Sequence, residues 1–202
     1  MKREITCRCG ETLETDFPEQ MDISKNPETI DKILNGTFMS IKCSSCGAVL
    51  KPEFTTKIID SGGKVDITFF PELERTRYLS GLSSTDTRRV AIGFPELREK
   101  FLLFKKNLDD RVVEIIKFLL LEKVEEPDEV TITMVDFDEG EQLVFHIEGI
   151  KEKEVGVSRI PIHLYNRVAD SLEKRLEEEP FAQIADGQYV SINKISIEDD
   201  ES

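Results

Sequence analysis

Apolar and polar positions along the chain fall into short blocks whose period changes several times. Residues 2–6 and 11–17 read as short strands on either side of a first cysteine pair. Asn26-Pro27-Glu28 reads as a helix start, with Asn26 as the N-cap and Pro27 at the first helical position. Ile30, Ile33 and Leu34 recur at helical spacing, and Gly36 is a fitting stop. Residues 38–42 read as a strand that leads into a second cysteine pair. Phe54–Ile59, the turn Ser61-Gly62-Gly63 and Val65–Phe70 predict a hairpin. Residues 80–88 are small and polar, and read as a loop or linker.

The second half opens with helices. Pro95–Asn107 places Leu97, Phe101 and Phe104 on one face. Leu108, Val112, Ile115, Ile116, Leu119 and Leu120 make a clearer stripe, with Asp109 and Asp110 at the end where the helix dipole favours acids. Together they predict a helical hairpin. Val130–Asp136 and Gln142–Glu148 then alternate around Asp138-Glu139-Gly140, the pattern of a second hairpin. Val155–Ile162 is a third candidate strand. Leu164–Glu179 reads as one amphipathic helix with Leu164, Val168, Leu172 and Leu176 on a face, ended by Pro180. Tyr189–Ile197 reads as a last strand, and Asp199–Ser202 as an acidic tail. The chain shows no internal repeat and no low-complexity tract.

Charge divides this pattern. The 202 residues carry 27 basic and 41 acidic side chains, a net of −14. Residues 1–75 account for −3, residues 76–125 for +2 and residues 126–202 for −13. The step near Glu125-Glu126-Pro127-Asp128 marks a boundary, and Pro127 disfavours helix at Glu126. So acidic a chain argues against nucleic acid as a partner, because phosphate is bound mainly by cationic side chains. No apolar run reaches the roughly 20 residues that span a bilayer. The longest, Val112–Leu121, is interrupted by Glu114 and Lys117. The N-terminus shows no signal-peptide pattern. The expected location is the cytoplasm, where thiols stay reduced.

All four cysteines fall into two close pairs, Cys7-Arg8-Cys9-Gly10 and Cys43-Ser44-Ser45-Cys46-Gly47, separated by 33 residues. Two such pairs can give four thiolates to one tetrahedral Zn²⁺. A glycine after the second cysteine of each pair permits the positive φ with which a chain leaves such a turn. A closed set of four thiolates leaves no open coordination position, so the expected site is structural: a clip between residues 2–17 and 38–50. An iron or iron–sulfur site and redox cysteines are the competing readings.

These residues carry a resemblance. Cys7-Arg8-Cys9-Gly10, Asn26-Pro27-Glu28, Ile33-Leu34-Asn35-Gly36, Cys43-Ser44-Ser45-Cys46-Gly47 and Pro71, in that order, resemble the bacterial CpXC domain over residues 5–71. Residues 97–117, through Leu108-Asp109-Asp110-Arg111-Val112-Val113-Glu114-Ile115-Ile116-Lys117, resemble the segment that follows the domain in longer members. The chain departs from that pattern in two places. The first knuckle is one residue short and lacks proline, and Ser44 stands where the second has proline. Four sulfurs remain. The resemblance implies a zinc-binding domain of uncharacterised function and supplies no reaction. The expected organisation is α+β. Residues 1–75 form a small zinc-ribbon-like β domain with one short helix, residues 76–125 a linker and helical segment, and residues 126–202 an acidic α+β domain.

No other constellation carries chemistry. His146 and His163 have no metal-ligand spacing to each other or to a cysteine, and read as structural or surface residues. Asp136, Asp138, Glu139 and Glu141 lack the calcium-loop pattern and read as a hairpin turn. Asp109-Asp110 reads as helix-start electrostatics, Gly62-Gly63 as a turn, and Arg88-Arg89 as exposed linker. Phe69, Phe70, Phe101, Phe104 and Phe118 read as core. The leading expectation is a cytoplasmic zinc-stabilised binding or adaptor module with a basic protein partner. A zinc-ribbon nucleic-acid-binding regulator and an enzyme with an inter-domain pocket are the alternatives. Nothing in the sequence supports catalysis.

Overall fold

The computed structural model describes residues 2–195, apart from the side chain of Asp128. The fold is α+β, and the chain clusters into two compact units, residues 1–101 and 102–202.

In the first unit, β1 (Lys2–Thr6) and β2 (Thr12–Asp16) form an antiparallel pair, and β4 (Ile41–Lys42) pairs with β5 (Val49–Leu50). A separate four-stranded sheet holds the core. Its order is β3 (Gln20–Asp22), β6 (Thr56–Ile59), β7 (Asp66–Phe70), β8 (Arg89–Ile92). The hairpin β6–β7 is antiparallel, while β3 and β8 add parallel to it on either side. Ile58, Phe69 and Ala91 from this sheet pack with Ile33 of α1 (Glu28–Leu34) and with Leu97 and Phe101 of α3 (Gly93–Lys106).

Several sequence expectations are adjusted here. Pro27, not Asn26, occupies the N-cap position of α1, and Asn26 Nδ2 donates to the Asp22 carbonyl instead. Residues 38–42 give only a two-residue strand. The Phe38 N–H donates back to the Lys32 carbonyl at 2.9 Å, and Met39 has a φ of 58°. Strand β8 was not expected. Val90-Ala91-Ile92 is too short to show a period, yet all three are fully buried. A short helix α2 (Arg75–Leu79) precedes it. Arg75 donates to Glu72, to Glu96 Oε1 at 2.8 Å and to the Ile92 carbonyl at 3.0 Å. The boundary between units falls inside α3, because β8 carries the first sheet well past residue 75.

The second unit is built on α4 (Asp110–Leu121) and a three-stranded antiparallel sheet. The sheet order is β11 (Val155–Pro161), β10 (Gln142–Glu148), β9 (Thr131–Phe137), with a bulge at Val144/Phe145. Asp109, expected at the helix start on dipole grounds, is the N-cap of α4, its carboxylate accepting the Arg111 N–H at 2.9 Å. The β9–β10 turn is held by Asp138, whose carboxylate accepts from the Gly140 and Gln142 N–H groups.

The expected helix Leu164–Glu179 is two shorter ones, α5 (Ile162–Asp170) and α6 (Leu172–Arg175). Ser171 separates them. Its hydroxyl donates to the Arg167 and Val168 carbonyls, a local bond that competes with the helix ladder. The i, i+4 spacing still serves, since Val168 and Leu172 are both buried. A further short helix, α7 (Phe181–Ala185), follows Pro180. The expected strand at Tyr189–Ile197 is not one over its described part. The Ser191 N–H donates to the Ile184 carbonyl, and Ile192–Lys194 form a 3₁₀ turn. Ile197 and the expected acidic tail Asp199–Ser202 lie outside the described residues. Phe104 corrects another expectation: it is 36% exposed, whereas Phe69, Phe70 and Phe101 are buried.

Candidate metal centre

Cys7 and Cys9 lie in the turn between β1 and β2, and Cys43 and Cys46 in the turn between β4 and β5. Each turn is closed by backbone bonds. The Gly10 N–H donates to the Cys7 carbonyl at 2.9 Å, and the Gly47 N–H to the Cys43 carbonyl at 3.0 Å. The Cys7 N–H reaches the Glu11 carbonyl, and the Cys43 N–H the Ala48 carbonyl, each at 2.8 Å. Gly10 has a φ of 92° and Gly47 of 75°, the left-handed geometry expected of the residues that leave the knuckles.

The two turns bring their sulfurs together crosswise. Cys7 Sγ lies 3.6 Å from Cys46 Sγ, and Cys9 Sγ 3.8 Å from Cys43 Sγ. All four sulfurs lie within 4.8 Å of one another. A tetrahedral ion with bonds of about 2.3 Å to sulfur spaces its ligands about 3.8 Å apart. The donor set therefore fits such an ion. All four thiols are free rather than joined as disulfides. Cys7 and Cys43 are buried, while Cys9 and Cys46 face outward. The shortened first knuckle still delivers Cys9 to the cluster. No strand pairing links the β1–β2 hairpin to the β4–β5 hairpin, and the four cysteines bring their two turns together.

Backbone amides polarise the cluster. The Cys46 N–H, aided by that of Ser45, lowers the Cys43 thiol to about 7. The Ala48 N–H also favours the thiolate at Cys46. The neighbouring sulfurs of Cys9, Cys7 and Cys43 outweigh it and push Cys46 up to about 12. Four thiolates this close repel one another, and a divalent cation removes that repulsion.

Other sequence candidates stay apart from this centre. His146 lies in β10 opposite Val157 and Thr133, and His163 is exposed on α5. The Arg88 N–H binds the Asp66 carboxylate, and Arg89 begins β8. Sequence reasoning missed the buried pair Glu114–Lys117 of α4. Its signal was present as two opposite charges at i, i+3 inside an apolar stripe. Among the described residues no helix is long and apolar enough to cross a membrane.

Comparison with known proteins agrees with the cysteine geometry. An uncharacterized protein of Treponema pallidum (strain Nichols) is 23% identical over 214 residues, covering 95% of this chain and 97% of that one. The similarity thus extends through the acidic second unit. No solved structure matches the chain. The sequence profile of the CpXC protein family matches residues 5–117, from the strand before the first knuckle to the middle of α4. With more than half its length matched and all four cysteines converging, the chain belongs to the CpXC family.

Proposed function

We propose that the protein is a zinc-stabilised interaction module. One structural Zn²⁺ would be held by Cys7, Cys9, Cys43 and Cys46, and the acidic second unit would engage a basic protein partner. The observation that carries the metal half is the convergence of four free thiols from two unpaired hairpins. A closed set of four sulfurs offers a reactant no open position, which favours a structural role over a catalytic one. The reducing cytoplasm is the compartment in which such thiols persist.

The interaction half rests on charge. Residues 102–202 carry 12 basic and 25 acidic side chains, and Glu177, Glu178 and Glu179 are exposed side by side. Such a surface steers a cationic partner at low ionic strength. Metal analysis of the purified protein should give one zinc per chain, and Cys46→Ser should lower it. Iron, or no metal near one equivalent, overturns the metal half. Partners captured at low salt should be lost when Glu177, Glu178 and Glu179 become Lys. Unchanged capture overturns the interaction half.

A further inference from the structure

The second unit is acidic, yet it contains one concave site of the opposite character. Ile116, Leu119 and Leu120 of α4, Ile160 of β11, and Leu164 and Val168 of α5 form apolar walls around about 430 Å³. That volume lies in the range of small-molecule sites. Lys123, Arg167 and Arg175 stand around it on three different stretches of chain. Arg175 is fixed in place: its Nε donates to Ser171 Oγ at 3.0 Å, and its guanidinium lies 5.6 Å from the Phe181 ring centre. Lys123 and Arg167 are exposed, and neither pairs with a carboxylate of the described residues.

In this unit acids outnumber bases about two to one. Two cations with no carboxylate partner among the described residues and a third held by a hydroxyl and a ring, gathered around one apolar hollow, form a local anion receptor with a greasy floor. We infer that this groove binds an amphipathic organic anion: a short apolar chain that ends in a carboxylate. The chain displaces water from Leu119, Leu120 and Leu164, since apolar surface gains by leaving water. The planar carboxylate suits the guanidinium of Arg167, whose parallel N–H groups match its two oxygens, while Lys123 adds charge. This site is separate from the acidic surface and the metal centre, and stands or falls apart from both.

Calorimetry on the full chain as purified, with decanoate below its micellar concentration, tests the inference. Decanoate should bind saturably at one per chain. It should bind at least tenfold tighter than decyltrimethylammonium, which has the same tail and the opposite head. The double variant Lys123→Gln/Arg167→Gln changes two exposed side chains, so its circular dichroism should match the parent. It should weaken decanoate at least tenfold and leave decanol binding within a factor of two. Absence of saturable binding overturns the inference, as does equal affinity for the two head groups. So does saturable binding of an acidic amphipathic peptide where decanoate shows none, because the groove would then serve a protein.

Discussion

Glu114 and Lys117 sit in the middle of the apolar stripe of α4, and their side chains are only 3% and 5% exposed. Their charges meet at 2.8 Å, and the second Glu114 oxygen accepts the Ile192 N–H at 2.9 Å. One buried carboxylate thus ties α4 to the 3₁₀ turn at Ile192–Lys194. Removing one partner of such a buried pair leaves the other charge less compensated in a poorly solvated place, at a cost of up to about 3–5 kcal/mol. Glu114→Ala should therefore destabilise the protein by about that much in urea unfolding. Replacing both with Met should cost less than the single change, because no charge is then left behind. At the metal centre the same scale governs pH. Only thiolates bind metal, and the neighbouring sulfurs push the Cys46 thiol up, so a metal entering the cluster would have to displace its proton. As pH falls, protons compete better and metal is lost; as pH rises, binding tightens. Apparent zinc affinity, measured by chelator competition between pH 8 and 6, should fall at least tenfold per unit, one decade for each proton expelled. A flat profile overturns this.

The two cysteine hairpins are slight as elements. β4 and β5 are two residues each, and β1 and β2 alternate exposed and half-buried positions with no buried residue. Isolated two-stranded hairpins are marginal in water. The four-stranded sheet differs: Ile58, Phe69 and Val90 are fully buried. Removing metal with a chelator should therefore speed amide exchange around Cys7–Gly10 and Cys43–Gly47 and spare β6, β7 and β8. Uniform loss of protection would show that the metal holds the whole unit. Elements of this kind also show where the sequence is readable. The knuckles were legible because a close cysteine pair followed by glycine marks a tight turn that the chain leaves at positive φ. The hairpin β6–β7 and helix α4 were legible because their periods run over several residues. Strand β8 was hidden by its three-residue apolar run, and the break at Ser171 by an apolar spacing that continues across it. Tyr189–Val190 are buried like strand residues, but Ser191 and Ile192 spend their N–H groups on the Ile184 carbonyl and on Glu114. Periodicity reports burial; it does not report where a backbone finds its partners. The cation-rimmed groove was invisible for a related reason, since α4, α5 and α6 contribute it from separate stretches.

At the scale of the chain, the charge surplus and the four-cysteine cluster fall in different units. Residues 1–101 carry 15 basic and 16 acidic side chains, close to balance. Four thiolates with one Zn²⁺ would add about −2 there. Residues 102–202 hold 25 acids against 12 bases. A surplus of that size repels itself, and repulsion among exposed charges destabilises the compact state until salt screens it. The Debye length falls from about 30 Å at 0.01 M salt to about 8 Å at 0.15 M. Over that interval the second unit should gain stability, seen as slower amide exchange in α4, β9 and β10. The nearly neutral first unit, whose core is the apolar cluster around Ile58 and Phe69, should change little. Salt cannot act there through a charge surplus that the unit lacks. Equal slowing in both units would mean that salt acts through burial of apolar surface, which kosmotropic ions strengthen everywhere. Sodium chloride and sodium sulfate at matched ionic strength separate the two causes. If screening governs, both salts protect the second unit equally; if apolar burial governs, sulfate protects both units and chloride protects neither.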